Sequence, residues 1–517
     1  MFDQLMARAV SARGGAAVES WARVEAAACA RRFAAMVAIL DARYRAEGSA
    51  EREQWYLDNW GAVCAEIAAA QQITPGAASH QLLIATALRD RLPKVAAVFA
   101  DGLVSHRLVS AIVWRTALIK DPDALVSVDS DLADAITDWP PMSEHKTIAE
   151  IDVLVDRHDP HAVRRAQNRA RGRSVNVGLD DAGGLATLWG ELFAPDAKAL
   201  DNRLDALAAT VCAGDPRTID QRRADALGAL ATGADRLTCM CGDRDVCDAT
   251  ALARAGGSAV VFVITHDDTL TEQSEAAARH DAALDGQQPR LFDKPVRELT
   301  LAEALRDDDP GEPAATAPGV MLGGPTLAGP IIRRLALTAR IKRVIHPGAA
   351  PPEPGYTPSQ KLADFVRCRD LTCRFPGCAH PADRCDLDHT IAHPAGPTCA
   401  SNLKCLCRFH HLLKTFWSGD GGWHDRQHVD GTVTWTAPSG QIHTTRPGSQ
   451  LLFPSLCAPT APVTATAAAR GTVANTGLTM PRRQSTRAED RRRRIAQERQ
   501  LNEDQALLAM VDSSPPF

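Results

Sequence analysis

Along the first three hundred residues, apolar positions recur mainly at helical spacing. After Thr74-Pro75, Ile84, Leu88 and Leu92 follow at four-residue steps, which keeps them on one helix face. Thr74 is a capping type and Pro75 suits a first helical position. Pro93 predicts a second helix start, Asp101-Gly102 a stop, and Ser105 a new cap. This succession fits a DNA-reading helix–turn–helix or a packed helical hairpin, and the packed hairpin is the commoner arrangement. The helical period breaks where Val175, Val177 and Leu179 alternate. Asp180–Gly184 then supplies a turn, and Leu185–Gly190 can return as a second strand. Helix resumes at Pro195, and Thr218 predicts a cap before Arg222, Arg223 and Asp225, a charge group suited to a salt-bridged face. Ala259–Thr265 reads as a buried strand.

Pro, Gly and Ala dominate residues 307–330 and 346–358, as in linkers, around a short basic segment, Ile331–Ile345. Thr357-Pro358 opens a further capped helix, and Trp423–Thr445 has a hairpin-like pattern. After Pro459 complexity falls, and the chain ends in a charged stretch containing Arg491–Arg494, expected to be disordered or a lone helix with weak nucleic-acid contact. The expected layout is therefore a mainly α region with a small β insertion (1–305), a linker region (306–356), a small α+β module able to fold by itself (357–455) and a low-complexity tail (456–517).

The 517 residues are 45% hydrophobic and 23% charged, with a formal net charge of −5. Overall charge therefore does not favour nucleic acid, and any such affinity must come from local basic patches. Asp3, Glu19 and Glu25 interrupt the opening residues, so no signal peptide is read there. The apolar run Ala259–Ile264 is too short to cross a bilayer. The expectation is a cytoplasmic protein with reduced thiols and no membrane partner.

Seven of the fourteen cysteines fall between Cys368 and Cys407, and in a reducing compartment such crowding favours metal ligation over disulfides. Two short-spaced pairs stand out, Cys373-x4-Cys378 and Cys407-x2-His410. Together they supply the four soft or borderline donors that a tetrahedral structural zinc requires. Cys368, Cys385, Cys399 and Cys405 compete for the same role. Earlier in the chain, Cys239, Cys241 and Cys247 have no fourth ligand nearby, and buried free thiols are the better reading.

Between and beside the two pairs stand Asp388-His389, Asn402 and His411, in DLDH, SNL and LCRFHHLLK. In order and context this stretch resembles the HNH endonuclease family in its ββα-metal form. The wider layout resembles a bacterial repeat family with a long helical domain of unknown function ahead of an HNH module. That likeness rests on LRDRLPKVAAVFADGLVSHR, RSVNVGLDDAGGLATLWGELF and GDPRTIDQRRADALGAL. The resemblance implies a metal-dependent DNA endonuclease. His389 would be the general base, Asp388 and His411 would hold a catalytic Mg²⁺ or another divalent cation, and Asn402 would hold the first strand and orient His389. His410 and His411, about 100° apart on one helix, suit separate ions, His410 serving the structural Zn²⁺. Lys414 and Arg408 could face phosphate, or be solvated helix residues. His393, in HPAGP, is read as a turn residue. One such site cuts one strand, so double-strand cleavage would need a homodimer or two events. The rival expectation is a zinc-stabilised nucleic-acid-binding or scaffold protein that does not cleave. Retention of Asp388, His389, Asn402 and His411, which a scaffold does not need, favours the enzyme.

Overall fold

The computed structural model describes residues 2–140, 142–163, 174–179, 186–241, 247, 261–271, 300, 317–337, 339–419, 421–463 and 479–512. Its first half is a helical assembly: α1 (Phe2–Ser11), α2 (Gly15–Arg45), α3 (Ser49–Arg52), α4 (Asn59–Gln71), α5 (Pro75–Asp90), α6 (Pro93–Ala100), α7 (His106–Arg115), α8 (Pro122–Ala135) and α9 (Glu144–His158). Local chemistry sets several starts. Thr74 accepts a hydrogen bond from the Ala77 amide, Ser105 from Leu108, and Asp58 from Gly61, each satisfying a donor the first turn leaves unpaired. Phe33 of α2, Leu82 and Ile84 of α5, Phe99 of α6, Ile112 of α7 and Leu132 of α8 lie in one continuous core. The short helices after Thr74 are thus members of a packed bundle.

β1 (Ser174–Leu179) and β2 (Ala186–Glu191) pair antiparallel, with Val177 opposite Leu188, where alternation predicted a hairpin. Its expected turn, 180–184, lies outside the described residues. α10 (Ala194–Ala208) and α11 (Ile219–Ala231) follow. Thr218 and Gln221 cap α11 reciprocally, and Arg223 pairs with Asp201 and Asp205 of α10, so that charge group is a salt-bridged face as read.

The supposed linker is partly structured. β3 (Val263–Ile264), which falls within the expected strand, is followed by α12 (Asp267–Thr271), β4 (Gly319–Met321), β5 (Thr326–Leu327) and α13 (Gly329–Ala336). β4 runs between β3 and β5 in one antiparallel sheet. Leu327 and Ile332 are buried here, although Pro and Gly dominate the composition. The basic segment finds acidic partners, Arg343 with Asp267 and Lys342 with Asp364.

The last part holds α14 (Gln360–Asp370), β6 (Asp386–His389), β7 (Leu403–Leu406), α15 (Arg408–Phe416), β8 (His424–Gln427), β9 (Val433–Thr436) and β10 (Ile442–Thr445). β6 and β7 form an antiparallel pair, with Asp388 opposite Lys404, and β9 is central in the sheet β10-β9-β8. The core here includes Phe365, Phe375, Leu413, Trp423 and Trp435, but also Leu57, Ala62, Ala65 and Ala69 from in or beside α4. The Trp417 indole donates to the Leu57 carbonyl at 3.2 Å. The core of residues 357–455 is therefore shared with α4, outside the expected module bounds.

The tail also departs from expectation. Residues 464–478 lie outside the described part, whereas α16 (Arg487–Asp512) is a docked helix. Ile495 packs on the bundle core, Arg499 pairs with Asp159 at 2.6 Å, and the Asn502 amide donates to the His161 and Val163 carbonyls. Just before it, Met480 enters the second core and the Pro481 carbonyl accepts from the Tyr56 amide at 2.7 Å. Composition reads this stretch as solvated because its acidic and carbonyl partners lie hundreds of residues away. Among the described residues no helix is long and apolar enough to cross a membrane.

Candidate metal centre and polar site

Cys373, Cys378, Cys407 and His410 converge, one donor atom from each lying within 4.8 Å of the others. His410 Nδ1 is 3.2 Å from Cys407 Sγ and 3.5 Å from Cys373 Sγ. The first pair is shaped by the turn at Gly377, whose φ is +72° and where a Cβ would meet the Ile73 carbonyl oxygen at 2.7 Å. Only glycine tolerates both conditions. The second pair arises because Cys407 is the N-cap of α15 and His410 sits in its first turn. Phe375 stacks on the His410 ring at 3.9 Å. The donor set, three thiols and one imidazole, could hold a metal ion such as zinc. Of the competing cysteines, Cys399 meets Ser401 and Cys405 the Val366 carbonyl, while Cys385 meets the Pro381 carbonyl and also adjoins the Cys373 thiol.

On the neighbouring strand, Asp388 and His389 have separate partners, as β alternation requires. Asp388 is buried and its Oδ2 accepts from Lys404 Nζ at 2.6 Å and Lys414 Nζ at 2.7 Å. Lys404, fully buried, also reaches Asp425 at 2.6 Å. Burial works to raise the Asp388 carboxyl, but the two ammonium groups overcome it and hold the pKa down at about 2. For Lys404 burial works downward, and the Asp388 and Asp425 carboxylates reverse it and raise the pKa. Two acids and two bases thus form a charge-balanced buried group. Lys414 joins it, donating also to the His389 carbonyl at 2.6 Å, so it is not the solvated helix lysine that was the alternative expectation. Arg408 is exposed, with only a 3.4 Å contact to Asp386.

His411 Nδ1 lies 2.8 Å from Asp386 Oδ2, and its Nε2 is 3.6 Å from Asp388 Oδ1. With Nδ1–H donated to Asp386, the Nε2 lone pair is turned toward Asp388. The separation suits two donors of one ion, since ligands about 2.1 Å from a metal lie roughly 3–4 Å apart. The outer carboxylate supplies the usual orientation of a ligating imidazole.

His389 Nε2 is 2.8 Å from Thr398 Oγ1, and that hydroxyl donates to the Gly355 carbonyl at 2.6 Å. The hydroxyl therefore accepts from Nε2–H and leaves Nδ1 as the basic nitrogen. Burial lowers the His389 pKa, an effect Asp388 opposes and His393, Lys414 and Lys404 reinforce. Tyr356 stacks over the ring at 5.2 Å. Asn402, fully buried, clamps the loop after the strand: its Oδ1 accepts from the Ile391 amide, and its Nδ2 donates to the Ile391 and Pro397 carbonyls. Gly396 allows that closure, because a Cβ there would stand 2.2 Å from the Ile391 carbonyl oxygen. Asn402 thus positions the segment next to His389 through Ile391 and Pro397.

All four motif residues thus surround β6, and the structure adds Asp386, Thr398, Lys404 and Asp425. Lys404 carried a signal in principle, being opposite Asp388 in a hairpin, but the register is set by tertiary packing.

The chain belongs to the family described as Domain of unknown function (DUF222), which it matches over residues 20–317 and 309–370. That match ends before the metal and polar site. The chain is similar to the uncharacterized protein Rv2100 of Mycobacterium tuberculosis strain H37Rv, with 46% identity over 508 residues, covering 97% of this chain and 89% of the relative. It is also 45% identical over 487 residues to the uncharacterized protein Rv3776 of that strain, covering 94% and 89%. A third relative, an uncharacterized Mycobacterium tuberculosis protein in the est 3′ region, is 42% identical over 353 residues, covering 68% and 94%. No solved structure matches the chain.

Proposed function

We propose that the module around β6, β7 and α15 is an HNH-type endonuclease site that hydrolyses DNA phosphodiester bonds in the cytoplasm. The observation that carries this reading is the approach of His411 Nε2 to Asp388 Oδ1 at 3.6 Å, with His389 next to Asp388 on β6 and His410 of the sulfur–imidazole cluster next to His411 on α15, in strand–strand–helix order. Zinc in that cluster is structural: it fixes the start of α15 and so the position of His411. Asp388 Oδ1 and His411 Nε2 fit a divalent cation such as Mg²⁺ or Mn²⁺ in donor chemistry. When bound, such an ion stabilises charge developing on the phosphate and the leaving oxygen.

His389 Nδ1 takes the proton of the attacking water as the new phosphorus–oxygen bond forms and the bond to the leaving oxygen breaks. A neutral imidazole is the competent form, and burial favours it. Thr398 fixes the tautomer, Asn402 holds the loop, and exposed Arg408, beside Asp386, can turn to a phosphate. A second reading, a zinc-stabilised nucleic-acid-binding scaffold, is favoured by the two ammonium groups on Asp388 and by Tyr356 covering His389.

Plasmid cleavage by the full-length protein with Mg²⁺ or Mn²⁺ separates the two. His389→Ala should retain its zinc and circular dichroism, and lose at least ~10²-fold in cleavage rate, the lower range for removal of a general base. A wild-type protein that binds DNA and leaves it intact with every divalent ion supports the scaffold.

A further inference from the structure

A second group of sulfur ligands lies in the helical half, far along the chain from the first. Cys239, Cys241 and Cys247 have no fourth partner nearby in sequence, but the fold brings Cys212 to them from the loop between α10 and α11. The four Sγ atoms lie within 4.8 Å of one another, and Cys212 and Cys239 are 3.5 Å apart. We propose that Cys212, Cys239, Cys241 and Cys247 bind a second structural zinc ion, independently of any nuclease activity.

Three observations support it. Tetrahedral zinc with sulfur at about 2.3 Å sets its ligand atoms roughly 3.8 Å apart, the scale seen here. A multi-iron cluster would spread its thiolates more widely, and a disulfide would pair sulfurs two by two at about 2.05 Å. Next, the ligand-bearing segments are locked together by one buried carboxylate. Asp215, three residues after Cys212, accepts at Oδ2 from the Met240 amide, between Cys239 and Cys241, at 2.9 Å. Its two oxygens also accept from Arg217 Nε at 3.0 Å and Nη2 at 2.7 Å, and that same Nη2 donates to the Thr238 carbonyl at 2.8 Å. Thr210 Oγ1 adds a bond from the Leu237 amide at 2.9 Å. Such outer interactions orient ligands before a metal arrives. Last, buried Leu207, Ala208, Ala226, Ala234 and Leu237 belong to none of the hydrophobic clusters of the described residues. So small an apolar core among the described residues of this region gains from a metal cross-link.

The test is zinc content of the full-length protein, purified under reducing conditions without chelator, by elemental mass spectrometry. About two zinc ions per chain are expected, falling to one in Cys239→Ser and to one in Cys378→Ser. X-ray absorption on the wild type covers the case in which a variant fails to fold. Two sites give a sulfur-to-nitrogen ligand ratio of about seven to one, against three to one for the first site alone. A single zinc per chain, lost entirely in Cys378→Ser, overturns the proposal. So does full zinc retention in Cys239→Ser, or peptide mapping that finds Cys212 and Cys239 joined as a disulfide in the reduced preparation.

Discussion

In the helical half, Phe33, Leu82, Leu92 and Phe99 are buried among other apolar side chains, and the core is continuous from α2 to α9. In the module, residues of the same depth include Arg369, Asp370, Asp388, Lys404 and His410. Apolar burial contributes roughly 25 cal/mol per Å² and needs no geometry beyond packing. Buried charge is stable only when every partner is present. Arg369 illustrates this: it pairs with Asp370 at 2.8 Å and donates to the Ala400 and Leu403 carbonyls, while Asp370 accepts from the Cys405 amide. The bundle should therefore degrade gradually under substitution, and the module abruptly.

The largest effect should come from the sulfur cluster. Structural zinc contributes apparent binding energies of about 10–16 kcal/mol in small peptides, more than most domains' total stability. Cys378→Ser should release that zinc and unfold the module, while far-UV circular dichroism keeps most of its helical signal. Loss of the bundle signal as well would mean that α4, which serves both cores, couples them into one cooperative unit.

Single core substitutions sharpen the contrast. Arg369→Ala leaves buried Asp370 with only the Cys405 amide and the more distant Arg374, at 3.9 Å, and should cost about 3–5 kcal/mol. Leu92→Ala in the bundle should cost about 2–5 kcal/mol through the cavity it opens. The two differ in zinc dependence: added zinc should partly offset Arg369→Ala and leave Leu92→Ala unchanged, in urea unfolding followed by tryptophan fluorescence. Equal responses to zinc would erase the distinction between the regions.

The same contrast explains what could be read in advance. Thr74, Ser105 and Thr218 act within three residues of themselves, so their caps were visible in the sequence. The ligand pairs at Cys373 and Cys407 were visible for the same reason. Cys212, 27 residues from Cys239, was not, and Asp425 beside Lys404 was not. Their roles depend on strand register and loop closure, which local spacing does not encode. The α4 contribution to the second core was hidden too, because Ala62, Ala65 and Ala69 read as ordinary helix formers whose partners lie some three hundred residues away.

The smallest effect concerns the strap that crosses both regions. Asp58 is buried and caps α4, and its Oδ2 also meets Arg487 at 2.5 Å and Arg483 at 3.3 Å. Arg487 is 42% exposed, so water screens the pair, and Arg487→Ala should cost only ~0.2–1 kcal/mol. Arg483 remains to offset Asp58, which holds the loss near the lower end. Removing both arginines strands a buried carboxylate that still accepts from Gly61, so the double variant should lose more than the sum of the singles. The local readout is proteolysis within 479–486, where the backbone is held by Tyr56 and Gln54 and should open before either core does. Additive singles, with no added cleavage there in the double variant, would show that Met480 and Ile495 hold the strap without help from the charges.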